Sequence, residues 1–254
     1  MKIINGKKIA DRILADLKEE IDKKKLKPIL TVILVGHDSA SRLYIQKKEA
    51  AAQKIGIEIR KNFLLEQTSE KEILDLIDSL NQNKQIDGIL VQMPLPKNIS
   101  ANKVIQAIKP AKDVDGFVKG SQFKSPFILA IKRALEETGQ DLTDKKVALL
   151  VNSDIFAQAL KSQLREVKFI EDLKKADIII IALGQPNVIK GDMIKQGAIL
   201  IDGGISKQNG KAVGDIDQES VKNKAKWLSP VPGGLGPLTV AFLLRNVIKA
   251  VPQM

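Results

Sequence analysis

Apolar residues return every fourth position at Ile9, Ile13, Leu17 and Ile21, which predicts an amphipathic helix over about 6–25, stopped by Pro28. The period then changes. The unbroken run Ile29–Val35 reads as a buried strand ending at Gly36, and a helix from about Ser41 follows it, with Asp38 or Ser39 as its cap and Gly56 just past its end. Ile57–Leu65 reads as a second strand. Ser69 and Glu72 form a capping box that opens a helix with Ile73, Leu74, Ile77 and Leu80 inward. Gly88–Val91 is a third buried strand, and a short helix is predicted over Ala101–Ile108. Strands alternating with helices imply βαβ units and a mostly parallel sheet.

A second α/β stretch begins near Pro126. It shows a helix over Ile128–Thr138, a strand at Lys146–Val151, a helix at Asp154–Leu164, and strands at Ile178–Leu183 and Ala198–Asp202. This order suggests a nucleotide-binding domain, although no G-x-G-x-x-G occurs in the chain. A last helix carries Val240, Leu243, Leu244 and Val247, with Pro237 in its first turn.

Composition narrows the chemistry. The 254 residues contain no cysteine and one histidine, His37, which disfavours disulfides, thiolate metal sites and a Ser-His-Asp triad and suits a cytoplasmic location. No metal site is expected. The start, Met1 to Gly6, is too short and too soon polar for a signal peptide, and no apolar run reaches membrane-spanning length. The net charge of +11 comes from 35 Lys and only 6 Arg among few aromatics. That pattern fits a solvated surface and an anionic small substrate better than nucleic acid or membrane.

Three stretches carry candidate chemistry. Tyr44 and Lys48 share one helix face, either as a phenol and an ammonium presented together or as an ordinary core edge with Lys48 in water. Gln92-Met93-Pro94-Leu95-Pro96 leaves the end of the third strand, where open α/β sheets bind ligands. Asp113-Val114-Asp115-Gly116 is either a turn or a ligand-binding acid. The stretch 229–239, with its prolines and glycines, lets backbone come close to a ligand.

Taken in order, these pieces resemble the bifunctional methylenetetrahydrofolate dehydrogenase/methenyltetrahydrofolate cyclohydrolase family. The likeness runs through Ser41-x-x-Tyr44-x-x-x-Lys48, 91–96, 112–117, 184–186, 190–193, 197–202, 213–215 and 230–239. It implies two α/β domains with a cleft between them. The first is a folate-binding catalytic domain over 1–118, with a C-terminal helix at 237–254 packing back on it. The second, 119–236, is a Rossmann-like NAD(P)-binding domain. The resemblance makes Lys48 the catalytic lysine and Gln92 the group that holds it. Tyr44 would lie on the folate ring system and Asp115 would bond the pterin. Val91, Gln92, Met93, Pro232, Gly233, Gly234, Leu235 and Gly236 would line the substrate. A tetrahydrofolate derivative is the implied substrate, NADP the cofactor and a homodimer the assembly. Asn152, Ser153 and Ile205 fall at cofactor positions.

The chain departs from the family pattern on that side. Val151-Asn152-Ser153-Asp154 stands where the family has a glycine-arginine-serine turn, and the segment between Leu164 and Ala176 is short enough to suggest a missing strand. The cofactor site is therefore expected to be reduced, with NADP bound weakly or not at all. The readings that remain are the bifunctional enzyme, a cyclohydrolase with a vestigial cofactor domain, and a folate-binding protein without catalysis. A short-chain dehydrogenase, which also uses Tyr-x-x-x-Lys, would need an upstream glycine-rich turn that is absent.

Overall fold

Strand β1 is Lys2–Ile3, and helix α1 runs from Gly6 to Lys24. The next elements are β2 (Ile29–Val35), α2 (Ser39–Ile55), β3 (Glu58–Leu64), α3 (Glu70–Gln82), β4 (Gly88–Val91) and α4 (Ala101–Gln106). Then come α5 (Pro126–Glu136), β5 (Lys146–Val151), α6 (Asp154–Gln163), β6 (Lys168–Ile170), β7 (Ile178–Ala182) and β8 (Ile199–Asp202). A small hairpin, β9 (Ser206–Gln208) and β10 (Lys211–Val213), precedes α7 (Gln218–Val221), β11 (Trp227–Ser229) and α8 (Leu235–Ala250). This computed structural model describes residues 1–252.

The chain divides into two compact units. The first comprises Asp11–Pro126 and the stretch from Val240; the second comprises Met1–Ala10 and Phe127–Thr239. The division departs from a boundary at 118. Residues 1–10 count with the second unit and 119–126 with the first, because the breaks fall inside α1, at the start of α5 and inside α8.

The first unit is built on a three-stranded parallel sheet in the order β3-β2-β4. Alternate residues of β2 face opposite cores. Leu30, Val32 and Leu34 pack with Leu17 and Ile21 of α1, Ile45 and Ala52 of α2, and Leu243 and Val247 of α8. Ile33 and Val35 pack on the other side with Ile73 and Ile77 of α3 and Val104 of α4. The local signals act as their chemistry dictates. The Asp38 carboxylate accepts the Ser41 N–H at 2.7 Å to start α2, and Gly56 ends that helix in the left-handed region at φ 87°. Ser69 and Glu72 close their capping box.

The second unit holds a six-stranded, wholly parallel sheet in the order β1-β11-β8-β7-β5-β6. Four of its residues in sequence, Ile178 to Ile181, are fully covered, as a central parallel strand requires. The expected loss of a strand between Leu164 and Ala176 is corrected here. Lys168–Ile170 forms β6 and pairs in parallel with β5, Phe169 lying opposite Val147. Three residues carry too little periodicity to announce a strand, and the neighbouring edge of β5 supplies the pairing. The same shortness hid β1 and β11.

Candidate functional site

Parallel strands send their carboxyl ends to one edge of the sheet, and the first unit collects its reactive side chains there. Lys48 lies on α2, which follows β2. Gln92 leaves β4, the strand beside it. Asp115 follows Asp113, which forms a single parallel bridge with Ile89 on the far side of β4. Three chain segments distant in sequence thus deliver groups to one place.

Lys48 is buried at 5% exposure, so it does not sit in water at the edge of an ordinary amphipathic helix. Its ammonium donates to Gln92 Oε1 at 2.8 Å and lies 4.6 Å above the Tyr44 ring, one helical turn back. Gln92 has no freedom to turn its amide around. Its Nε2 donates to the Met93 carbonyl at 2.8 Å, which leaves Oε1 facing Lys48. The Ser41 hydroxyl donates to the same Met93 carbonyl at 3.4 Å.

Burial sets the electrostatics. Loss of water lowers the Lys48 pKa to about 8, against a smaller opposing pull from the Asp115 charge. Burial raises Asp115 to about 6; Lys48 opposes that rise and Asp113 adds to it. Burial, with Asp115 adding, pushes the Tyr44 phenol well above its usual value, so Tyr44 acts as a neutral ring and hydroxyl. Burial thus moves a lysine and a carboxyl that feel each other's charge toward neutrality from opposite sides, which makes both candidates for proton-transfer or binding chemistry. Beside them lies a cavity of about 60 Å³ lined by Val91, Met93, Asp115, Phe117, Ile105 and Ile108, among others. Its walls are apolar apart from Asp113 and Asp115, and the Asp113 carboxylate is already engaged by the Gly116 and Val118 N–H groups.

The second unit holds the other sequence-derived positions. Pro232, Gly233 and Gly234 form the turn into α8, and Leu235 and Gly236 are its first two residues. Part of their glycine content serves the chain itself. A Cβ on Gly234 would strike the Ser229 hydroxyl and the Pro230 carbonyl, and the Gly233 carbonyl accepts the Lys7 N–H at 2.9 Å. Gly233, at φ 103°, and Gly236 have open space where a Cβ would stand. Asn152 and Ser153 follow β5, and Ile205, 61% exposed, follows β8. Ser153 Oγ caps α6 by accepting the Phe156 N–H at 3.3 Å. Asn152 Nδ2 donates to the Leu183 carbonyl at 2.8 Å. β5 stands between β6 and β7, so strand order reverses at this point, and the Asn152 bond ties the β5 and β7 exits across that switch point.

Two buried carboxylates entered the sequence reading only as parts of family motifs, with no role given to them. Asp202 accepts the N–H groups of Gly204, Asp215 and Ile216, and Asp215 accepts those of Leu183, Gly184 and Gln185. Side chains on Gly204 or Gly214 would collide with these carboxylates. Burial raises Asp202 to about 7 despite its three donors. The signal available was an aspartate ending an apolar strand before two glycines, paired with Gly214-Asp215. Among the described residues, no group of three or more His, Cys, Asp or Glu side chains could hold a metal ion, and no helix is long and apolar enough to cross a membrane.

Comparison with known proteins gives this geometry its context. Residues 4–115 match the family model for the tetrahydrofolate dehydrogenase/cyclohydrolase catalytic domain, and residues 128–254 match that for the NAD(P)-binding domain of the same family. The bifunctional protein FolD of Halothermothrix orenii is 40% identical over 275 residues, covering 98% of this chain and 97% of that one. The crystal structure of the bifunctional FolD of Campylobacter jejuni superposes with a TM-score of 0.90 at 35% identity, covering 99% of this chain and 98% of that one. The Trypanosoma brucei FolD, solved with NADP cofactor and an inhibitor, gives a TM-score of 0.90 at 26% identity, covering 98% and 96%. Two α/β units, both domain models in their order and 40% identity along nearly the whole length of a curated relative place this chain in the tetrahydrofolate dehydrogenase/cyclohydrolase family.

Proposed function

We propose that this chain is a bifunctional enzyme of folate one-carbon metabolism. It oxidises 5,10-methylenetetrahydrofolate and hydrolyses the resulting 5,10-methenyl compound to 10-formyltetrahydrofolate, and the hydrolysis is the better provided for. The observation that carries the reading is the buried Lys48, held 2.8 Å from an oriented Gln92 and lowered to about 8.

The chemistry follows from those groups. The methenyl bridge is a cationic carbon between two nitrogens. Water adds to it, forming the C–O bond, and the free amine of Lys48 takes the water proton. The bond from the bridge carbon to the pterin-side nitrogen then breaks, and Lys48 returns the proton to that nitrogen. The hydroxyl proton of the adduct leaves to solvent as the formyl C=O forms, so the overall hydrolysis releases one proton. Gln92 Oε1 keeps the amine aimed, and the Tyr44 ring offers an apolar face to the aromatic part of the substrate. Asp115 receives pterin N–H groups.

The rate of methenyl hydrolysis, corrected for the uncatalysed reaction, is expected to rise with pH through about 8 as Lys48 loses its proton. A rate independent of pH across that range would remove Lys48 from the proton-accepting role. Asp115→Ala is expected to weaken folate binding while the protein stays folded, because removing each charge-assisted hydrogen bond costs about 1.5–3 kcal/mol. Folate affinity equal to the parent's would make Asp115 a turn residue.

The cofactor side is leaner. The residues after β5 do not fit the phosphates of NADP well. Asn152 commits one amide hydrogen to the Leu183 carbonyl, Ser153 Oγ accepts the Phe156 N–H in the α6 cap and keeps only a neutral O–H to offer, and Asp154 adds a negative charge in the first turn. These features support weak NADP binding. Assembly as a homodimer in a cytoplasmic setting belongs to the same reading and rests on family likeness.

A further inference from the structure

Asp115 matters only if its carboxyl is held where Lys48 and the cavity can use it, and the segment that carries it, 112–118, is a loop. Its neighbours show how it is fixed. The Val114 side chain is fully buried, packed over Gly88, where any Cβ would crowd it. The buried Asp113 carboxylate turns inward and accepts the N–H groups of Gly116 at 3.0 Å and Val118 at 2.8 Å. Gly116 takes φ 75° with the backbone of 123–125 against it, so a side chain there has no room.

The Ile89–Asp113 bridge, the Ser121 hydroxyl on the Asp113 carbonyl and the Gln106 amide on the Phe117 carbonyl hold the loop from nearby, and a further hold comes from 132 residues away. Asn246, on the otherwise apolar inner face of α8, is 3% exposed. Its Nδ2 has two hydrogens and two acceptors, the Val114 carbonyl at 2.9 Å and the Lys124 carbonyl at 3.0 Å. One amide thus ties the loop at Val114, and the 123–125 backbone that lies against Gly116, to one helix, with the Val114–Asp115 peptide as one of the held groups. A polar residue among Leu243, Leu244, Val247 and Ile248 costs desolvation unless both carbonyls are there to receive it.

We infer that Asn246 is a positioning residue for the folate-side chemistry, holding Asp115 against Lys48 and the substrate cavity through the Val114 and Lys124 carbonyls. The inference rests on the cyclohydrolase reading above. The titratable groups facing Lys48 and Asp115 are each other, Asp113 and the neutral phenol of Tyr44. Releasing the loop lets Asp115 withdraw, and Lys48 then loses the one nearby charge that favours its protonated form.

The test compares Asn246→Leu, which keeps the branched shape and removes the donors, with Leu243→Ala, which loosens the same helix and leaves both Asn246 hydrogen bonds in place. Asp115→Ala is the reference. For N246L the folate KM is expected to rise about threefold to thirtyfold, with the Lys48 limb of the rate–pH profile moving to lower pH. L243A is expected to lower the melting temperature while leaving both quantities at the parent's values. If N246L gives no folded protein, Asn246→Ser, which keeps one donor on a shorter arm, is expected to shift both in the same direction by less. Unchanged KM and pH profile in the folded Asn246 variant, or equal changes in L243A, would reduce Asn246 to a packing residue. If D115A itself changes neither KM nor profile, the reading of the site falls and the inference falls with it. If D115A changes them and the Asn246 variant does not, only the inference falls.

Discussion

Lys48→Met is expected to abolish methenyltetrahydrofolate hydrolysis while leaving the fold intact. The loss should be about 10²- to 10⁴-fold in turnover, the range for removing a positioned proton-transfer group. The fold should survive for three reasons. Lys48 is 5% exposed, and the burial that lowers it to about 8 already works against its charge. An unbranched methionine fills similar space and suits a helix interior. The Gln92 oxygen that loses its donor is only half-buried, so water can replace the ammonium. Lys48→Arg separates charge from proton transfer, since a guanidinium stays protonated, and it should be inactive as well. Circular dichroism and melting temperature check the fold; disappearance of the methenyl chromophore checks the rate. Turnover near the parent's in a well-folded K48M would overturn the assignment.

NADP is expected to bind weakly, and dehydrogenase turnover is expected to lag hydrolysis. A phosphate at a helix start needs close main-chain N–H groups and gains from a positive partner. From the end of β5 this chain offers Val151, then Asn152, Ser153 capping α6 and Asp154 exposed in the first turn. The absence of one charge-assisted hydrogen bond to a phosphate costs about 1.5–3 kcal/mol, roughly tenfold to a hundredfold in affinity. The Asn152 bond to Leu183 adds to this, because it already uses one of that side chain's two amide hydrogens. Lysines nearby offer limited replacement. Lys161 lies in the last turn of α6 over the Phe169 ring at 5.4 Å, and Lys175 pairs with Asp172 at 3.3 Å. Calorimetric titration with NADP and the folate-dependent rise in NADPH absorbance, on one preparation, measure both quantities. Tight binding with brisk reduction would mean that the second unit holds its phosphates by another route.

The sequence by itself determined the parts whose physics is short-ranged. Periodicity named most helices and the long strands. The Asp38 cap, the Ser69–Glu72 capping box and the Gly56 stop are settled within a few residues, and each is formed. Alternation of strand and helix was enough for a parallel α/β architecture, and the placing of Tyr44 and Lys48 one helical turn apart follows from 3.6 residues per turn. Motifs in order were enough to reach the family. Tertiary structure decided the rest, because strand order, burial and hydrogen bonds between distant residues leave no local period. Lys48 meets Gln92 across 44 residues because β2 and β4 are neighbours in the sheet, and Lys48 titrates near 8 because the core around it excludes water. β6 exists because β5 has an edge to offer it. Asn152, which in sequence only stands in for a glycine, becomes a bond across the switch point. Asn246 looks like a stray polar residue on an apolar helix until the Val114 and Lys124 carbonyls come to meet it, and the fold alone brings them there.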